Sequence, residues 1–214
     1  MAQYPHTKAT LALMHSASVI PVLTIEDPKQ GILLAKALVA GGLPVLEITL
    51  RTQKALAAIK AIADEVPGAI VGAGTVLEPA HIDASIKAGA TFLVSPGTTP
   101  RLIVAACNAP IPFLPGIATA TEAMHLMEHG FMAMKFFPAE AIGGAKALSS
   151  LAGPLADLRF CPTGGIDATK ARAYLALKNV VCVGGSWMVP NAALAAGDYA
   201  QITALAKEAA MLGN

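Results

Sequence analysis

A chain of 214 residues, 55% of them hydrophobic and 14% charged, is long enough to bury one substantial core and too apolar for extended disorder. Its 15 Lys and Arg nearly cancel 14 Asp and Glu, and the absence of any basic block or zinc-finger spacing argues against a nucleic-acid partner. Proline, glycine or a charge interrupts every apolar stretch before the roughly 18 residues that a membrane span requires, so no membrane partner is expected.

The chain opens with MAQYPHTK (1–8), which does not read as a secretory signal. A helical segment over 1–18 is expected to pack on a catalytic domain formed by 19–214. VIPVL (19–23) predicts the first strand, and 28–40 the helix after it, with Asp27 as cap and Pro28 in the first turn. Next come VLEIT (45–49) with a helix over 53–66, IVGA (70–73) with 79–88, and FLVS (92–95) with 100–108. IPFL (111–114) is ambiguous alone because of its prolines; the helix over 120–129 follows it, where Thr121 opens a run whose apolar stripe is Met124 and Met127. The chain then offers MAMKF (132–136) with 145–151, RFC (159–161) with 169–177, and VCV (181–183) with 198–212.

Eight strand and helix pairs, with strands starting about every 19 to 27 residues, predict an α/β fold of the (β/α)8 TIM-barrel type in a single domain. A doubly wound sheet usually has fewer strands, and no helix here opens with G-x-G-x-x-G. Barrels place catalytic groups at the C-terminal ends of strands and in the loops that follow. Each polar residue is therefore weighed by its position on its strand.

Lys135 lies in the apolar run AMKFF (133–137), at the end of a predicted strand. A poorly solvated amine there is more readily neutral and able to attack a carbonyl, which points to a Schiff-base lysine; the bland alternative is a surface lysine. Glu47 and Arg51 stand at and just past the end of VLEIT, with Val45, Glu47 and Thr49 on one strand face. A buried Glu47 needs a partner, for which Lys135 is the expected choice and a purely local Glu47–Arg51 pair the alternative. The Arg51 fork suits a substrate carboxylate.

GAGTV (72–76) ends the third strand and offers Thr75, while SPGTT (95–99) and PGI (115–117) end the next two. Pro96, Pro115, Phe137 and Thr163 are expected to line the pocket. PTGG (162–165) and GGSW (184–187) follow the seventh and eighth strands, where barrels often bind phosphate. Their amides, with Gly164, Gly165, Gly185 and the Ser186 hydroxyl, predict an anion site; the alternative is two tight turns.

His6, His15, His81, His125 and His129 lie in the N-terminal segment or in predicted helices, away from carboxylate clusters, so no metal site is expected. The electron sink for carbon–carbon chemistry would then be the lysine, without a cofactor. Cys107, Cys161 and Cys182 form no C-x-x-C and read as reduced core cysteines of a cytoplasmic protein. Met124, Met127 and Met132 read as packing, and Trp187 as a cover for the last strand's loop or an interface.

LEITLR (46–51), VGAGTV (71–76), SPG (95–97), Pro115-Gly116, KFFPAE (135–140), FCPTGG (160–165) and GGSW (184–187) closely resemble, in order, the 2-keto-3-deoxy-6-phosphogluconate (KDPG) aldolases, some of which also cleave 4-hydroxy-2-oxoglutarate (KHG). The resemblance implies that Lys135 forms the imine and Glu47 transfers protons. It further implies that Arg51 and Thr75 receive the pyruvate carboxylate and that Gly165, Gly185 and Ser186 hold the phosphate. A homotrimer serving sugar-acid breakdown by the Entner–Doudoroff route, with a small keto acid as substrate, is also implied. VLTIED (22–27) lacks the basic residues that some relatives carry after the first strand. Alternative readings are an aldolase for the phosphogalactonate epimer, a non-covalent phosphate-binding barrel isomerase, and a non-catalytic metabolite-binding module.

Overall fold

The computed structural model describes residues 4–213; the expected helical segment over 1–18 therefore lies partly outside the described residues. Its described part contains α1 (Thr7–His15). There follow β1 (Val19–Leu23), α2 (Pro28–Ala40), β2 (Val45–Thr49), α3 (Ala55–Glu65), β3 (Ile70–Gly74), α4 (Pro79–Lys87), β4 (Leu93–Val94) and α5 (Pro100–Asn108). The second half comprises β5 (Phe113–Leu114), β6 (Gly116–Ile117), α6 (Ala120–Glu128), β7 (Ala133–Phe136), α7 (Gly144–Leu151), β8 (Arg159–Pro162), α8 (Ala168–Leu175), β9 (Val183–Gly185), α9 (Asn191–Ala196) and α10 (Tyr199–Ala210).

All strand pairs are parallel, in the order β5-β4-β3-β2-β1-β9 and β6-β7-β8. β5 and β6 are one barrel position broken at Pro115: Leu114 pairs with β4, and Gly116 pairs with Lys135 of β7. Proline has no N–H to give the ladder, but its carbonyl still accepts from the Lys135 amide at 2.8 Å. At the other seam, Thr163 bridges to Gly184 and Phe160 to Val180. Nine strand pieces thus occupy eight positions of a closed (β/α)8 barrel.

Strand alternation sorts the apolar residues into two cores. Leu46, Ile48, Met134 and Phe136 face the surrounding helices, whereas Ile20, Val45, Phe92, Leu114, Ala133, Cys161 and Cys182 fill the barrel. Met14 of α1, fully buried, joins that inner cluster.

The Asp27 carboxylate accepts from the Lys29 amide, as its position before Pro28 predicts. α6 starts at Ala120, as expected. Thr119 is its cap, because Glu122 sits three residues after it and completes a reciprocal capping box. Ala123 and Leu126 are the buried residues of that helix, and Met124 is 56% exposed, so Met124 does not serve packing as expected. Met127 and Met132 do pack against the outer core.

Candidate active site

Inward positions become polar toward the C-terminal ends of the strands. On β2, the apolar Val45 is followed one pleat higher by Glu47; on β7, Ala133 is followed by Lys135. These two higher residues meet. Lys135 Nζ lies 2.9 Å from Glu47 Oε1 and 3.3 Å from Oε2, and the residues are 5% and 3% exposed. Removing two charges from water costs several kcal/mol each, which only close pairing of this kind offsets. The neighbouring strand makes room for the pair, since a Cβ on Gly74 would run into the Glu47 carboxylate. Glu47 is thus paired with Lys135 and not with Arg51, which is exposed at the rim.

A cleft of about 410 Å³ opens at the same end of the barrel. Arg51, Phe137, Thr163, Gly164, Gly165, Gly185 and Ser186 line it. The buried ion pair lies one step away: Phe137 has its ring centroid 5.5 Å from Lys135 Nζ, and Val22, the β1 partner of Glu47, also lines the cleft. Thr75, Pro96 and Pro115 do not belong to that lining. Thr75 directly follows β3 with φ +60°, a left-handed conformation unusual for a β-branched residue. The Pro115 carbonyl holds the Lys135 amide, while Ser95 Oγ accepts from the Gly116 amide at 3.1 Å and fastens the SPG turn beside Lys135's strand.

The PTGG loop is held from behind. Gly164 and Gly165 have φ +108° and +76°, and a Cβ on Gly165 would lie 2.9 Å from Glu140 Cβ. Tyr174 of α8 donates to Glu140 Oε1 at 2.6 Å, and Lys170 Nζ reaches both Glu140 Oε2 at 3.2 Å and the Gly165 carbonyl at 2.9 Å. The Tyr174 hydroxyl, ahead of Lys170, holds the Glu140 carboxyl below its ordinary pKa. Burial, followed by Glu140, pushes the Tyr174 phenol well up. On the next loop, the Trp187 ring occupies the space that a Gly185 side chain would need, and so covers the end of β9.

The remaining polar candidates serve packing. His6 contacts the Ala109 carbonyl, His81 accepts from the Leu77 amide and His129 contacts the His125 carbonyl. No group of three or more His, Cys, Asp and Glu is placed to hold a metal among the described residues. Cys161 and Cys182 are buried, and Cys107 is half-buried. Contact with Cys161, ahead of burial, holds the Cys182 thiol well above its usual pKa, which makes it a poor nucleophile.

Three features of this site were not read from the sequence. Thr24 lines the cleft from the residue after β1, where the strand-end rule could have found it. Asn191 opens α9, whose six residues are too few for a periodic signal. Glu140 and Tyr174 sit 34 residues apart, and only the fold joins them.

The family described as KDPG and KHG aldolase matches residues 11–205. The chain is 54% identical over 198 residues to the KHG/KDPG aldolase of Escherichia coli (strain K12), covering 92% of this chain and 93% of that one. It is also similar to the KDPG aldolase of Zymomonas mobilis ZM4, solved with 3-phosphoglycerate: TM-score 0.91, 50% identity, 96% of this chain and 97% of that one. The Legionella pneumophila KDPG aldolase, with pyruvate captured as a covalent carbinolamine, superposes with TM-score 0.91 at 40% identity, covering 94% of this chain and 97% of that one.

Proposed function

The chain belongs to the KDPG and KHG aldolase family, and on that premise we propose that it cleaves 2-dehydro-3-deoxy-6-phosphogluconate reversibly to pyruvate and glyceraldehyde 3-phosphate, and KHG to pyruvate and glyoxylate. One observation carries the reading: a buried amine and carboxylate 2.9 Å apart beneath a cleft at the catalytic end of a barrel. It is a Schiff-base aldolase by the following chemistry.

Glu47 takes a proton from Lys135, and the neutral amine attacks the C2 ketone. Protonation of the carbinolamine hydroxyl releases water and leaves a protonated imine. Removal of the C4 hydroxyl proton then sends the C3–C4 bonding electrons into that imine, giving the aldehyde and an enamine of pyruvate. Proton return to C3 and hydrolysis of the imine free pyruvate and Lys135. Glu47 is the group within reach for these transfers, directly or through one water.

Arg51 and Thr75 are assigned to the keto-acid carboxylate, and the amides of Gly164, Gly165 and Gly185 with Ser186 to the distal phosphate. Phe137 and Thr163 line the pocket, while Pro115, through its carbonyl on the Lys135 amide, and Pro96 of the SPG turn shape it from behind. Residues 1–18 act as a packing segment and 19–214 as the catalytic unit, a division supported by Met14 entering the barrel's inner core. The assembly is a homotrimer in the cytoplasm, a reading that rests on the family resemblance and is checked by sedimentation equilibrium. Among the described residues, no helix is long and apolar enough to cross a membrane.

Borohydride reduction of the protein with pyruvate should fix one reduced pyruvate on Lys135, read by peptide mass spectrometry. An unmodified Lys135 in protein that nevertheless releases pyruvate would reject the imine.

A further inference from the structure

Thr24 is exposed on the cleft, and the chemistry above leaves it unused. Its hydroxyl oxygen lies 3.0 Å from that of Thr49, and Thr49 Oγ1 in turn donates to the Leu23 carbonyl at 3.0 Å. A hydroxyl has one hydrogen to donate, and a carbonyl oxygen can only accept. Thr49 has therefore spent its hydrogen on Leu23, and the bond between the two threonines must run from Thr24 to Thr49. Thr24 is left with only acceptor capacity for a ligand.

That direction decides what Thr24 can recognise. Phosphate and carboxylate oxygens accept hydrogen bonds, so an ionised end of the substrate gains nothing here; a substrate hydroxyl can donate. Glu26 and Asp27 follow in the same loop and further disfavour an anion. The segment is also held in place. Thr49, 1% exposed, anchors the Leu23 carbonyl, and Thr52 Oγ1 anchors that of Ile25 at 2.6 Å, on either side of Thr24.

We propose that Thr24 is a specificity-determining residue that accepts a hydrogen bond from the substrate hydroxyl beyond the cleaved bond, on C5, between the keto acid and the distal phosphate. This rests on the aldolase reading, in which the C4 hydroxyl gives up its proton during cleavage. The C5 hydroxyl is the one that sugar-acid substrates carry and KHG lacks. Thr24 therefore favours polyhydroxylated keto acids over the short dicarboxylic one.

The test compares full-length wild type, Thr24→Val and Thr24→Ser on three substrates by pyruvate release: 2-dehydro-3-deoxy-6-phosphogluconate, its non-phosphorylated counterpart 2-dehydro-3-deoxygluconate, and KHG. Thr24→Val should lower kcat/KM about 5–10-fold on both sugar acids and leave KHG within about two-fold, the size expected of one neutral hydrogen bond. Thr24→Ser should restore most of the loss. A loss confined to the phosphorylated substrate would assign Thr24 to the phosphate and overturn the proposal, as would equal loss, or none, on all three. Wild type releasing no pyruvate would sink the aldolase reading and this proposal together; an active wild type with an indifferent Thr24→Val variant sinks the proposal alone.

Discussion

The Lys135–Glu47 pair serves both stability and chemistry, and single substitutions should separate the two. Lys135→Met leaves a carboxylate buried without its partner, at a cost of about 3–5 kcal/mol. Adding Glu47→Gln removes that stranded charge, so the double variant should unfold at higher urea than Lys135→Met alone while remaining inactive. Glu47→Gln by itself keeps an acceptor for the ammonium and should lose turnover roughly 100-fold or more with its fold intact. Equal urea midpoints for Lys135→Met and the double variant would show that the pair carries no such energy. The pairing was legible in the sequence although 88 residues separate the two. Each charge sits in an apolar strand, and burial demands a partner. The strand-end rule could have placed Thr24 on the cleft, but its accepting role was not legible, because only Thr49 and Leu23 fix its hydrogen-bond direction.

At the scale of elements, the PTGG loop depends on α8 behind it. Tyr174→Phe removes the donor to Glu140, and Glu140→Gln removes the charge that holds Lys170 beside the Gly165 carbonyl. Either change should raise KM for the phosphorylated substrate several-fold while altering KHG turnover little; equal effects on both would reject a positioning role. Because the Glu140 pKa is lowered on folding, its contribution is complete above the ordinary carboxylate range and is lost as pH falls through the lowered value. The Tm gap between wild type and Glu140→Gln should therefore be widest near neutrality and close in acid. Periodicity and caps located β1, β2, α2 and α5 with their observed bounds. They failed where neighbours decide. VCV predicts a strand at 181–183, but pairing with β1 draws it to Val183–Gly185 despite two glycines, and Pro115 divides the fifth strand between β4 and β7.

Across the whole molecule, the apolar plug of the barrel and its reactive cleft lie at opposite ends. Met14 is fully buried against Ile20, Val45, Ala133 and Cys182 beneath the polar layer, whereas Ser186 is exposed on the cleft. Alternation in the sequence was enough to foresee the barrel and its reactive rim. The lower plug was not readable in detail, because which face of α1 enters the barrel depends on the shape of the opening it fills. Met14→Ala should leave a cavity in that close-packed inner core and cost about 2–5 kcal/mol in urea unfolding. It should leave kcat/KM within about two-fold, since the atoms removed lie a full layer below Lys135. Ser186→Ala should do the reverse, keeping the urea midpoint while weakening phosphorylated substrates and sparing KHG. If Met14→Ala lowered turnover as strongly as stability, the inner core would be transmitting its packing to Lys135, and the separation of the two ends would not hold.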